Sequence, residues 1–232
     1  MNPGEFDLIS DRQGLFSPFS IGQAAVLKNR IIALPIFTGY AHPDGKASRF
    51  MMEHYARLAG SGAAMVVVTN AAVSADGVTS TFNLRADHDD FLPGLARLAR
   101  AIKKRGALAC LQLNHAGRFA RADQPLLPVP LDAANLAFNI SSLKDFMNFF
   151  PLEKGFPLTR YFLKKVGSWR HAMTVRERER VIDDFGQAAE RAIEAGFDMV
   201  ELHRANGYLI NQAQRRLSSL GQRIPGPIRF RG

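Results

Sequence analysis

Near the C-terminal end of the chain stands the run Val200-Glu201-Leu202-His203-Arg204-Ala205-Asn206-Gly207-Tyr208. An apolar strand closes there on an imidazole. An amide follows three residues on, and a phenol two after that. These three side chains differ in pKa and leave one strand end together. Such a set can hold a small polar substrate by two hydrogen bonds and hand it a proton. A second polar group of this kind is Gln112-Leu113-Asn114-His115, which closes the apolar run that starts near Ala107.

Groups so placed need elements that converge. Arg30 to Ile36, Ala64 to Thr69, Leu108 to Leu113 and Phe197 to Leu202 read as strands. Between them lie helical patterns. Ser48 opens one that runs to about Ala59, and Asp90 to Arg105 is another, with Leu92, Leu95, Leu98, Ala99 and Ile102 on one stripe. Thr174 with Glu177 forms a capping box ahead of a third, whose apolar face is Val181, Ile182, Phe185, Ala188, Ala189, Ala192 and Ile193. The strands are continuous apolar runs without alternation, which predicts a parallel sheet covered on both faces. Serial strand–helix units leave two architectures, an open doubly wound sheet and a (β/α)8 barrel.

Two features favour the barrel. The turn Pro35-Ile36-Phe37-Thr38-Gly39 lacks the glycine-rich phosphate loop of a dinucleotide-binding sheet. Every strand also hands over to polar residues: Thr38, Thr69-Asn70, Gln112 with Asn114 and His115, then His203 with Asn206. In a barrel those ends share the rim where chemistry is done. Ahead of the first strand, residues 15–29 predict a hairpin about Gly22 that plugs the barrel floor. Residues 119–173, rich in Pro and Phe, predict a packed excursion.

Composition narrows the function classes. The chain has 232 residues, 47% of them hydrophobic, enough for one large domain. No apolar run reaches the ~18 residues of a membrane span. The start Met1-Asn2-Pro3-Gly4-Glu5 has no basic segment followed by an apolar one. The one cysteine, Cys110, sits in an apolar run, fits a buried hydrophobe, and leaves no ligand set for a metal or an iron–sulfur cluster. A cytoplasmic location is the expectation. The formal charge of +9 raises nucleic acid as a partner, but from Arg204 to Gly232 there are six arginines and no carboxylate. The excess is a tail property, and residues 213–232 read as a basic, divergent or disordered tail rather than a specific nucleic-acid site.

Three segments then bear a resemblance. They are Leu27-Lys28-Asn29-Arg30-Ile31, Gln112-Leu113-Asn114-His115-Ala116-Gly117-Arg118, and Ala195-Gly196-Phe197-Asp198 leading to His203-Arg204-Ala205-Asn206-Gly207-Tyr208-Leu209. In this order they resemble the Old Yellow Enzyme (NADH:flavin oxidoreductase) family. The resemblance implies a (β/α)8 barrel that binds FMN, takes hydride from NADH or NADPH and reduces activated alkenes such as enones. By position it implies that the backbone around Pro35, Ile36 and Phe37 lines the flavin and that Thr38 reaches its O4 edge. Ala71 would be the small residue that lets the ring approach, and Gln112 would read its pyrimidine edge. His203 and Asn206 would grip the substrate carbonyl oxygen, and Tyr208 would donate the proton.

The resemblance runs from about Leu15 to Gln212 and implies that residues 1–212 are the N-terminal portion of such a barrel. A whole barrel has eight strands in about 250 residues, and the fourth strand here ends near His203. The expectation is a barrel truncated after that strand, binding FMN weakly or not at all by itself, with open edges that allow self-association. The alternative function is a catalytically inactive remnant or interaction module.

Overall fold

The computed structural model describes residues 12–23, 25–120, 126–127 and 171–219. Among them the elements run α1 (Arg12–Phe16), β1 (Phe19–Ile21), β2 (Ala25–Leu27), β3 (Ile32–Ala33), α2 (Arg49–Gly60), β4 (Met65–Ala72), β5 (Leu84–Arg85), α3 (Leu92–Lys103), β6 (Leu108–Asn114), β7 (Leu126–Leu127), β8 (His171–Ala172), α4 (Val175–Glu194), β9 (Met199–Leu202) and α5 (Leu209–Ser219). They divide into two units. One takes the described residues up to Val73 with Thr81–Leu113 and Asp184–Leu202. The other takes Ser74–Ser80, those within Asn114–Asp183, and those from His203 on.

The first unit holds the sheet, in the order β3-β4-β6-β9 with β5 added beside β4. Ile32 pairs with Met65, and Leu113 with Leu202, both in parallel register. All eight residues of β4 are buried. That is the burial expected of a parallel strand covered on both faces, as the unbroken apolar runs predict. On one face, Met51, Tyr55 and Ala59 of α2 share a helical stripe, as do Leu95, Leu98, Ala99 and Ile102 of α3 and Ala188 and Ala192 of α4. They meet Val66, Val68, Leu111 and Leu113 in the larger core. Each fully buried side chain of this size contributes roughly 1.5–3 kcal/mol. The Tyr55 hydroxyl accepts the Thr69 N–H at 2.7 Å, and burial pushes its pKa up to about 12.

The local signals act where they were read. Ser48 caps α2 by accepting the Met51 N–H at 3.1 Å. Thr174 and Glu177 satisfy each other's N–H groups, at 2.7 and 3.2 Å, ahead of α4. Gly106 at φ +77° lets the chain turn out of α3 toward β6. The hairpin forms as β1 against β2, and Leu27 packs on Ala64, Met65, Val67 and Cys110 in a second core. Cys110 is buried there, and burial, aided by the Glu201 charge, pushes its thiol up to about 12.

Three expectations change. The first strand shrinks from Arg30–Ile36 to two residues, because Pro35 brings no N–H to the ladder. The fourth begins at Met199 rather than Phe197. The N–H of Phe197 returns to Ala192 at the end of α4, and Asp198 uses its carboxylate to accept the Ala109 N–H and the Lys103 ammonium. The expected tail also changes in part: α5 runs from Leu209 through Ser219, so residues 213–219 are helical and the boundary at 212 falls inside a helix. Apolar residues at 209, 210, 213 and 217 give that stretch helical spacing, which the arginines mask. Residues 220–232 and most of the 119–173 excursion lie outside the described residues. Among the described residues, no helix is long and apolar enough to cross a membrane.

Candidate active site

In the sheet unit, Gln112 sits on β6 and is buried. Its Nε2 donates to Glu201 Oε1 on the neighbouring strand β9 at 2.6 Å, where the register sets the two residues side by side. Glu201 was not singled out in the sequence, although it lies in the motif. Beyond β3, Leu34, Ile36 and Phe37 are 70, 71 and 50% exposed, so an apolar strip lies open where Pro35 ends the strand. Thr38 Oγ1 accepts the Tyr40 N–H at 3.3 Å. Ala71 is fully buried in the sheet core.

The second unit brings three predicted residues together. His203 is buried, and its Nδ1 accepts the Ala205 N–H at 3.2 Å. With Nδ1 so used, the neutral ring carries its proton on Nε2. That nitrogen stands 3.5 Å from the Asn206 Nδ2. The two side-chain nitrogens are therefore near neighbours at the end of the strand. The Tyr208 ring lies edge-on to His203 with centroids 4.8 Å apart, and burial raises its pKa. Tyr208 is thus kept as a protonated acid at neutral pH. Asn206 has φ +58° and Gly207 φ +69°, two successive left-handed residues that lift the amide out of the strand direction. Asn tolerates that region better than most residues.

Residues 14–219 match the NADH:flavin oxidoreductase / NADH oxidase family. The chain belongs to this family. It is 30% identical over 227 residues to an NADH oxidase of Thermoanaerobacter brockii, covering 93% of this chain and 30% of that one. It is 35% identical over 200 residues to an NADPH dehydrogenase of Listeria monocytogenes, covering 85% and 50%. Among solved structures, an Old Yellow Enzyme from Pichia sp. AKU4542 matches at TM-score 0.68 and 23% identity, over 85% of this chain and 47% of that one. The Old Yellow Enzyme homologue from Zymomonas mobilis matches at 0.65 and 27%, over 85% and 50%. The chain spans about half the length of most of these relatives, and less of the NADH oxidase.

This family of oxidoreductases works with FMN, and the residues present fit part of that group. The open strip of Leu34, Ile36 and Phe37 offers apolar area to a flat ring. At the end of β6, Asn114 is 1% exposed, and neither its Oδ1 nor its Nδ2 has a hydrogen-bond partner among the described residues. An orphaned buried amide costs about 1–3 kcal/mol, which a polar ligand atom would recover.

Sequence reading noted His115 only as a polar strand end and passed over Asp76 and Arg180. In the second unit these three meet. Asp76 lies in the 3-10 turn Ala75–Gly77. Its carboxylate accepts Arg180 Nη2 at 2.6 Å and has His115 Nε2 at 3.6 Å. His115 Nδ1 accepts the Gly117 N–H at 3.0 Å, which leaves the ring proton on the Nε2 side facing Asp76. Gly77 is required here, since a Cβ would stand 2.8 Å from the His115 ring. The His115 carbonyl in turn accepts the Leu209 N–H at 3.0 Å, one residue past Tyr208. Their separation along the chain, 104 residues between Asp76 and Arg180, hid this cluster.

Burial would raise the Asp76 pKa, but the polar contacts of His115, Ser74 and Arg180 override it and hold the carboxyl well below the ordinary 3.8. A depressed folded value stabilises the fold at all pH above the unfolded one, and the benefit drains away as pH falls below it. The native protein should therefore unfold at lower urea as pH drops from 5 toward 3. Asp76→Asn should start less stable at pH 7 and show a flatter acid limb. Parallel acid limbs would remove Asp76 from this role.

Proposed function

We propose that this chain carries the substrate-binding and proton-donating half of an FMN-dependent, NAD(P)H-using ene-reductase. One observation carries the reading: His203 Nε2 and Asn206 Nδ2 stand 3.5 Å apart, with the half-buried Tyr208 ring edge-on to the imidazole. The substrate class is a small activated alkene, such as an enone, whose carbonyl oxygen takes both donors.

The flavin, when bound, supplies the hydride that reaches the β-carbon of the alkene. The protein's residues do the rest. His203 and Asn206 hold the oxygen on which negative charge develops. Donors fixed in a dry site are worth about 3–4 kcal/mol each at such an oxygen. Tyr208 gives its hydroxyl proton to the α-carbon. Gln112, whose amide is held by Glu201, would read the pyrimidine edge of the flavin. Pro35, Ile36, Phe37 and Thr38 would line it, and Ala71 would be the small residue that lets the ring approach.

The outer edges of β3 and β9 have no further strand partner among the described residues. Additional (β/α) units, or a second copy of the chain, would pair there and complete a barrel.

The test is a titration of the purified chain with FMN, followed by quenching of flavin fluorescence. The expected result is saturable but weak binding. Gln112→Leu should weaken it by roughly 2–10-fold, the worth of one neutral hydrogen bond. No response of the flavin at any concentration would instead favour a non-enzymatic interaction module.

A further inference from the structure

We propose that Gln212 is a positioning residue for Tyr208. The inference rests on the reading of Tyr208 as the proton donor. Gln212 lies on the first turn of α5 and is 8% exposed. Both ends of its amide are used. Its Nε2 donates to the carbonyl of Gly207, the peptide immediately before Tyr208. Its Oε1 accepts the backbone N–H of Arg118 at 3.4 Å. The side chain thus ties the loop that carries the phenol to the 3-10 turn Gly117–Phe119.

The surroundings are shaped for that amide. A Cβ on Gly117 would stand 2.9 Å from Gln212 Oε1 and 3.0 Å from its Nε2, so only glycine leaves room for it. Gly117 has φ +56°, a conformation that glycine adopts without cost. On the other side of the loop, a Cβ on Gly207 would meet the Phe119 ring at 3.2 Å. Phe119 packs edge-on to the Tyr208 ring, with centroids 6.3 Å apart.

The loop needs such a tie. Asn206 and Gly207 are both left-handed, and their peptides have no helix or strand ladder to orient them. Tyr208 itself is bracketed by backbone bonds, its N–H to Ala205 at 3.2 Å and its carbonyl from the Gln212 N–H at 2.9 Å. Gln212 supplies the side-chain bond at the preceding peptide. An amide is needed, because one end must donate and the other accept. A glutamate there keeps the acceptor for Arg118 but has no proton for Gly207. A methionine keeps the volume and loses both bonds.

The experiment uses the full chain labelled with 3-fluorotyrosine and read by fluorine NMR. The chain has four tyrosines. The Tyr208 line is assigned by its disappearance in Tyr208→Phe, and Tyr55, buried in the sheet unit, is the control. In Gln212→Glu and Gln212→Met, the Tyr208 line should shift or broaden while the Tyr55 line stays. An unmoved Tyr208 line in both variants overturns the proposal. So does a matching change at Tyr55, which would make the amide a general prop of the fold.

A second readout separates this inference from the function it rests on. In flavin-loaded protein, both variants should slow alkene reduction by on the order of ten- to a hundred-fold, with flavin reduction by NAD(P)H unchanged. A shifted line with undiminished alkene reduction would leave Gln212 as the residue that places Tyr208, and would overturn Tyr208 as the acid.

Discussion

Alanine at His203 in the flavin-loaded protein should slow reduction of an enone by about 10²–10³-fold. The charge that develops on the substrate oxygen is the reason. In the resting site the His203 and Asn206 nitrogens stand 3.5 Å apart, with the ring proton directed to Nε2 by the Ala205 N–H. Removing either donor leaves the developing charge with one protein partner in place of two. Asn206→Ala should cost a similar factor and add a conformational one, because alanine is less content than asparagine at φ +58°. The double variant should lose less than the product of the two, since both donors serve one atom. Steady-state rates with a single enone, together with the binding of a phenol, make the measurement. Undiminished turnover in both single variants would defeat the assigned role.

Tyr208→Phe should abolish net alkene reduction more selectively. Flavin reduction by NAD(P)H should proceed at the wild-type rate. The alkene half-reaction should fall by about 10²–10⁴-fold, the usual range for loss of a positioned acid. Burial raises the phenol pKa, so at neutral pH it holds its proton and a carbanion at the α-carbon can take it. Phenylalanine keeps the edge-on contact with His203 and Phe119 and removes only the hydroxyl. Rapid-mixing kinetics of the two half-reactions separate these outcomes. A substrate whose α-carbanion is already stable, such as a nitroalkene, should be much less affected, because its reduction does not wait for the proton. Equal losses with both substrates would mean that Tyr208 shapes the site rather than supplying a proton.

Much of this protein was legible without a structure, for physical reasons that differ by element. Unbroken apolar runs such as Met65–Val68 announce a strand buried on both faces, because nothing polar is tolerated on either side. The Ser48 cap, the Thr174–Glu177 box and Gly106 are local devices, and each acts within a few residues of itself. His203, Asn206 and Tyr208 lie within six positions of one another, so a single loop suffices to bring them together. Where local signals conflicted, the reading erred. The apolar run through Pro35 suggested a longer strand than the backbone allows, and the arginines of 213–219 concealed the apolar spacing of a helix.

Longer-range relations were silent in the chain. The bond from Gln112 to Glu201 exists because β6 and β9 are neighbours in register, which no spacing of 89 residues announces. Asp76, His115 and Arg180 meet for the same reason, each from a different loop or helix. The amide of Gln212 finds Gly207 and Arg118 only once α5 has turned back on the Gly117–Phe119 turn. The sequence by itself therefore determined which groups can do chemistry and which strand ends carry them, since residue type and local periodicity are properties of the chain. Only tertiary structure decided which of those groups are tied down, and by what. A hydrogen bond depends on separation in space, and the chain encodes that separation only through the packing of the whole.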